Sequence, residues 1–168
     1  ADGTITMEEF LAQLSVEELA YLLGGQPNTG VANTFGFGNF QEYGIPDIMT
    51  ADGPAGLRIA PEAGINTTAF PCSTLLACTW NPDIVERIGE AGGAEVKENN
   101  IAVWLTPAIN IHRSPLCGRN FEYYSEDGIL AGKTAAGFAR GTAENGIYCY
   151  IKHFALDNQE TNRENVCV

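Results

Sequence analysis

A chain of 168 residues with 45% apolar and 10% aromatic side chains has the composition of a globular domain with room for a sizeable core. Twenty-one acidic residues against nine Lys and Arg give a formal charge of −12, which argues against nucleic acid and anionic membrane as partners, since both require clustered cations. No apolar run reaches the ~20 residues of a membrane span. The opening ADGTITMEEF lacks a basic stretch followed by an apolar one, so a cytoplasmic location is expected.

Residues 1–25 are expected to form a helical segment. Thr6 with Glu9, and Ser15 with Glu18, have capping-box spacing, and Gly24-Gly25 supplies a stop. Phe10, Leu11, Leu14, Leu19, Leu22 and Leu23 make its apolar face. The Gly-, Asn- and Thr-rich stretch 26–40 reads as a loop whose phenylalanines either form a lid or pack beneath it. IPDIMTADG predicts a short strand ending near Asp52, and TLLACTW is an apolar run of undetermined type. Asn81-Pro82 opens a helix to about Asn99, with Ile84, Val85, Ile88 and Ala91 inward. IAVWLTP has the unbroken apolar character of a parallel strand covered on both faces. Ser125, Glu126 and Asp127 open a helix that Asn145-Gly146 closes, and IYCYI is a final apolar, strand-like run.

Strands alternating with helices of this length indicate parallel β/α units and an α/β class. No GxGxxG opens a helix after a strand, which disfavours a Rossmann sheet. The expected fold is the front portion of a (β/α)8 TIM-type barrel, spanning 26–168. It is incomplete, because a full barrel takes about 250 residues. A half barrel leaves unpaired strand edges, so self-association is expected if the chain stands alone. The five cysteines (72, 78, 117, 149, 167) contain no CxxC pair and read as reduced, mostly buried thiols.

Of the nine cations, Arg87, Lys97, Lys133 and Arg140 fall in predicted helices, whereas Arg58, Arg113, Arg119, Lys152 and Arg163 fall in loops, and loops that follow strands are where α/β folds build their sites. Asp52 and Arg58 follow one strand, Asn110, His112 and Arg113 another, Lys152 and His153 a third. A carboxylate at Asp52 suits two hydroxyl hydrogen bonds, with Arg58 orienting it; the same Asp-Gly also serves as a simple turn. In HRSPLCGRNFEYYSEDG, Arg119 either reaches a pocket as a forked donor or pairs with Glu122 or Asp127 to fix the loop. Glu122 is expected to brace the loop, and Glu126 and Asp127 to stabilise a helix N-terminus. Lys152 and His153 either donate to neighbouring hydroxyls of one ligand or form a core histidine beside a snorkelling lysine. His112 and His153 are the only histidines, with no HExxH and no GxSxG, so neither a metal nor another cofactor is expected.

Three motifs in order, DGPAGLR, TPAINIHRSPLCGRNFEYYSED and KHFALDNQETNR, resemble those of the glycoside hydrolase family 3 N-terminal barrel, β-glucosidase type, from about Asp47 to Arg163. The resemblance implies part of a retaining β-glycosidase acting on terminal non-reducing β-D-glucosyl residues. It implies that Asp52 binds hydroxyls in subsite −1, supported by Arg58. Arg119, Lys152 and His153 would donate to the same sugar, with Arg163 buttressing the pocket. The family's N-acetylglucosaminidase branch carries a further histidine after its KHF; KHFALDNQETNR has none, which favours the glucosidase and xylosidase branch. The family's nucleophile lies in a later Ser-Asp-Trp motif that these residues lack, and its acid/base usually comes from a second domain. No catalytic residue is therefore assigned. The implied partners are a β-linked glucoside or oligosaccharide and the rest of a parent enzyme. Two alternatives remain: a non-catalytic carbohydrate-binding or interaction module of the same fold, and a metal-dependent α/β enzyme.

Overall fold

A computed structural model describes residues 3–26 and 31–165; part of the expected loop, residues 27–30, and the chain end with Cys167 lie outside the described residues. Both capping boxes form. Thr6 and Ser15 accept hydrogen bonds from the backbone N–H groups of Glu9 and Glu18, whose carboxylates accept from the cap residues in return. They start helices α1 (Met7–Leu11) and α2 (Val16–Leu23). Of the expected apolar face, Leu14 is buried and Phe10, Leu19 and Leu22 are half-buried, whereas Leu11 and Leu23 are exposed. α2 also meets a neighbour through Tyr21, itself exposed, whose ring lies 5.4 Å from that of Phe40.

Phe40 belongs to a strand in what reads as a loop. β1 (Phe37–Phe40) pairs antiparallel with β2 (Ile45–Ile48), Phe37 opposite Ile48 and Phe40 opposite Ile45. Phe40 packs on Tyr21 and Tyr43, while Phe35 and Phe37 are exposed. The single strand expected from IPDIMTADG is thus divided. β2 turns outward into this hairpin, the chain changes sheets at buried Met49, and β3 (Thr50–Ala51) enters a different sheet.

That second sheet is parallel, in the order β3-β4-β5, with β4 at Val103–Trp104 and β5 at Tyr148–Cys149. Ala51 lies beside Trp104, and Trp104 beside Cys149. TLLACTW resolves into a helical turn, α3 (Ser73–Ala77). α4 (Pro82–Glu98) then connects β3 to β4, and α5 (Gly128–Glu144) connects β4 to β5. The class is α/β. Asn81 caps α4 through Oδ1, which accepts from Asp83 N and Ile84 N, with Pro82 in the first turn as its fixed φ favours.

The inward face of α4 departs from expectation. Val85 is buried and Ile88 partly so, but Ile84 and Ala91 are exposed; the rest of the buried stripe is Gly89, Gly92, Gly93 and Val96. Apolar periodicity counts side chains, so a stripe of glycines is silent to it. The glycines are there because α4 and α5 touch backbone to backbone. A Cβ on Gly141 would lie 1.9 Å from the carbonyl oxygen of Glu86. Beneath these helices Trp104 stacks on Phe138 with ring centroids 5.2 Å apart, and Ala51, Val85, Val96 and Ile101 complete the core.

β5 is less covered than its apolar sequence suggests. Ile147 is buried and Cys149 partly so, but Tyr148, Tyr150 and Ile151 are exposed, and no described strand pairs along the outer side of β5. Among the described residues no helix is long and apolar enough to cross a membrane. Cys72, Cys78, Cys117 and Cys149 are free thiols; Cys117 is buried but Cys78 is exposed, against the expectation of mostly buried thiols.

Candidate functional site

The polar side chains gather just past the C-terminal ends of β3, β4 and β5. Asp52 follows β3 directly. The chain leaves through Gly53 at φ +135°, where a Cβ would sit 1.8 Å from the carbonyl oxygen of Gly56, so this exit requires glycine. The β4–β5 ladder continues beyond the strands. Lys152 N donates to Pro107 O at 3.1 Å and Ile109 N to Lys152 O at 2.7 Å, which fixes the Lys152 backbone beside Ala108. The Thr106–Pro107 and Lys152–His153 peptide bonds are cis. The long connection after β4 curls through a 3-10 turn at Asn120–Glu122. Two groups from outside that turn hold it: His112 Nε2 lies 2.9 and 3.0 Å from the carbonyls of Asn120 and Tyr123, and the Thr74 hydroxyl contacts the same two oxygens.

A line of alternating charge results. Arg58 Nη1 lies 3.4 Å from Asp52 Oδ2, and Asp52 Oδ1 accepts from Lys152 Nζ at 2.6 Å. Lys152 Nζ stands 3.7 Å from Glu122 Oε2, while Glu122 Oε1 accepts from Arg119 Nε. Arg119 Nη1 donates to Asp157 Oδ2 at 2.8 Å, and Arg163 Nη1 ends the line 3.9 Å from Asp157 Oδ1. Glu160 joins its far end, 3.2 Å from Arg163 Nη1 and 3.9 Å from Arg119 Nη1, so that four cations face four carboxylates. The middle of the line is deeply placed, the Lys152 and Glu122 side chains being 10% and 4% exposed. Charges at that depth persist only when each is flanked by its opposite, as these are.

The geometry shows which protein partners each of these side chains has. Asp52 turns the chain and also carries an ion pair. Arg58 touches it from the exposed side. Arg119 pairs with Glu122 and with Asp157, not with Asp127, which caps α5 by accepting from Leu130 N at 2.7 Å. Glu122 braces the loop, as expected. Lys152 is buried between carboxylates and does not snorkel.

His153 is committed at both ring nitrogens. Arg119 Nη2 lies 2.7 Å from Nε2, and a guanidinium only donates, so Nε2 accepts and the imidazole proton resides on Nδ1. That proton faces Asn110 Oδ1 at 3.0 Å and Asp157 Oδ2 at 3.1 Å. The sequence left His153 either as a hydroxyl donor or as a core histidine; here it is half-buried and its ring meets Arg119 on one side and Asn110 and Asp157 on the other. Arg119 spends one N–H on each of Glu122, Asp157 and His153; its five donors leave N–H groups on Nη1 and Nη2 for other acceptors.

The electrostatics follow. Burial pushes the Asp52 carboxyl upward, but the Lys152 hydrogen bond and charge outweigh it and hold Asp52 below the ordinary aspartate range. Burial, then the neighbouring Arg119 charge, hold His153 below its usual value, so it is neutral near pH 7. Burial drives Tyr123 upward, keeping its phenol protonated, and its hydroxyl donates to the Asp157 carbonyl at 2.7 Å.

Two shallow hollows flank the line. One, of about 570 Å³, is lined by Arg119, His153, Asp157 and Arg163; the other, of about 220 Å³, by Gly53, Arg58 and Phe121 among others. Asp52 and Lys152 line neither, and join the larger hollow only through Glu122 and Arg119. Among the described residues no group of His, Cys, Asp and Glu is placed to hold a metal ion. Four participants were not assigned from sequence: Asp157, Glu160, Tyr123 and Asn110. Asn110 stood beyond a strand end, which is a signal. Asp157 in ALDNQE looks like any turn aspartate.

The sequence model of the glycosyl hydrolase family 3 N terminal domain matches residues 38–166. Beta-glucosidase A of Butyrivibrio fibrisolvens is 66% identical over 164 residues, covering 98% of this chain and 20% of that protein. The exo-alpha-(1->6)-L-arabinopyranosidase of Bifidobacterium longum is 40% identical, over 91% of this chain and 21% of its own length. Among solved structures, that of beta-glucosidase 3B from Thermotoga neapolitana in complex with alpha-D-glucose superposes with a TM-score of 0.84 at 44% identity, covering 92% of this chain and 24% of that one. The chain therefore spans about a fifth of the length of the curated relatives it matches.

Proposed function

The chain belongs to glycosyl hydrolase family 3, and from that premise we propose that it forms the front of a (β/α)8 barrel in a retaining β-glycosidase of β-glucosidase type, where it supplies the hydroxyl-binding groups of subsite −1. Residues 26–168 are the barrel portion and 1–25 a helical preface. Three parallel strands with intervening helices, and polar groups beyond the strand C-termini, support the barrel assignment. We assign the uncovered edge of β5 to the next strand of the full-length enzyme.

The observation that carries the reading is the convergence of Asp52, Lys152 and Arg119 from three separate β/α connections, joined through Glu122 into one chain of ion pairs. Such a line presents ammonium and guanidinium donors beside carboxylate acceptors, which is what adjacent hydroxyls of a pyranose require. It does not present an acid. Asp52 is held ionised by Lys152, and Glu122 and Asp157 are each paired with Arg119. Retaining chemistry needs a nucleophilic carboxylate and a protonated one about 5–5.5 Å apart. In this proposal both come from parts of the enzyme beyond this chain. The two named activities among the relatives, on glucosides and on an arabinopyranoside, fit a pocket that grips pyranose hydroxyls and leaves sugar identity to other contacts.

The test is the stereochemistry of hydrolysis. The full-length enzyme carrying this chain is expected to cleave an aryl β-D-glucoside and release β-D-glucose first, followed by proton NMR before mutarotation; the 168-residue chain alone is expected to release none. First release of the α-anomer, or no hydrolysis of any β-glycoside, contradicts the reading.

A further inference from the structure

We propose that Asp157 is a positioning residue: by clamping Arg119 and holding the imidazole proton of His153 on Nδ1, it sets the Arg119 fork for a sugar only while His153 is neutral. This rests on the reading of the site as a sugar pocket.

The Asp157 side chain reaches three partners. Oδ2 accepts from Arg119 Nη1 at 2.8 Å and lies 3.1 Å from His153 Nδ1, and Oδ1 is 3.9 Å from Arg163 Nη1. Its own backbone is tied to the long loop, because the Tyr123 hydroxyl donates to its carbonyl. A carboxylate so anchored fixes two neighbours at once. It aims the guanidinium, and it selects the tautomer that leaves His153 Nε2 free to accept from Arg119.

Every group facing His153 is identifiable. Arg119 and Lys152 are cationic, Asp157 and Glu122 anionic, Tyr123 a neutral phenol 3.3 Å away, and Asn110 an acceptor that does not titrate. Adding a proton at Nε2 sets an N–H against an N–H of Arg119 at 2.7 Å, with like charges and no acceptor between them. The two cannot both stay, so Arg119 must withdraw. Burial and Arg119 oppose this protonation, and Asp157 favours it. The sign is then fixed. A histidine held below its ordinary 6.5 costs the folded arrangement stability as pH falls beneath that value, with the full cost reached below the folded pKa. Removing the Asp157 charge lowers the histidine further, moving the acid loss to lower pH. It also loosens Arg119 at every pH.

The experiment measures D-glucose affinity of the full-length enzyme by calorimetry from about pH 4 to pH 8, for wild type, Asp157→Asn and Asp157→Glu. Asp157→Asn is expected to weaken glucose roughly tenfold at neutral pH and to shift the acid limb down by about one pH unit. Asp157→Glu is expected to keep the limb near its wild-type position. A merely structural aspartate gives weaker binding with the limb unmoved, and that result overturns the proposal. If wild type binds no glucose at any pH, the sugar-pocket reading fails instead. Carbon-13 histidine spectra of wild type, with His153 assigned by its loss in His153→Asn, then decide independently of any Asp157 variant. An Nδ1–H tautomer near neutrality supports the proposal and an Nε2–H tautomer overturns it.

Discussion

Replacing Lys152 with alanine is expected to lower kcat/KM of the full-length enzyme for an aryl β-glucoside by roughly 10²–10³-fold, with Asp52→Ala close behind. Lys152 is buried, 2.6 Å from Asp52 and 3.7 Å from Glu122. Its removal deletes the proposed donor to sugar hydroxyls and strands two carboxylates without the ammonium between them. Breaking one partner out of a buried pair costs about 3–5 kcal/mol, and each 1.36 kcal/mol that reaches the transition state is about tenfold in rate. Binding groups of this kind gain strength as the ring flattens toward an oxocarbenium-like transition state, so the loss should fall on kcat as well as KM. A paired variant separates charge balance from function. Asp52→Asn with Lys152→Met removes both members and should recover most of the stability lost in either single variant, but none of the activity. Rates within tenfold of wild type in Lys152→Ala contradict the assignment. The pair is insensitive to mild acid: Asp52 is held below its ordinary value of 3.8, so its stabilisation is complete above that pH and is lost only as pH falls through the lower folded value.

Glu122→Gln is expected to have the largest effect on local order. Glu122 is 4% exposed and is the one carboxylate between Arg119 and Lys152. A neutral amide leaves buried Lys152 and half-buried Arg119 facing each other across it, a cost of up to about 3–5 kcal/mol concentrated in the 3-10 turn. Hydrogen exchange across residues 117–125 of the full-length enzyme should accelerate by roughly two to three orders of magnitude, together with a rise in KM. Unchanged exchange there would mean that Glu122 merely fills space.

What the sequence makes legible is local. Thr6 with Glu9, Ser15 with Glu18, and Asn81 with Pro82 act within three residues, so spacing alone exposes them. The strand-to-helix alternation and the gathering of cations in loops are legible for the same reason. What stays hidden is either two-bodied or lacks a side chain. Asp52 meets Lys152 across 100 residues, and no periodicity reports such a contact. The glycine stripe of α4 is invisible to a hydrophobic count, so Ile84 and Ala91 are wrongly turned inward. β2 and β3 look like one strand because the change of sheet at Met49 occurs within continuous apolar character. Asp157 is hidden by resemblance to ordinary turn chemistry, although three side chains converge on it.

Under the proposed function, the polar groups beyond the strand ends act as one apparatus for gripping the hydroxyls of a sugar ring. The most direct measurement is a crystal structure of the full-length enzyme with D-glucose bound. Sugar oxygens within about 3.2 Å of Asp52, Lys152 Nζ and Arg119 Nη2 are the predicted result. Glucose seated elsewhere, with those three side chains keeping only their present protein partners, would contradict it.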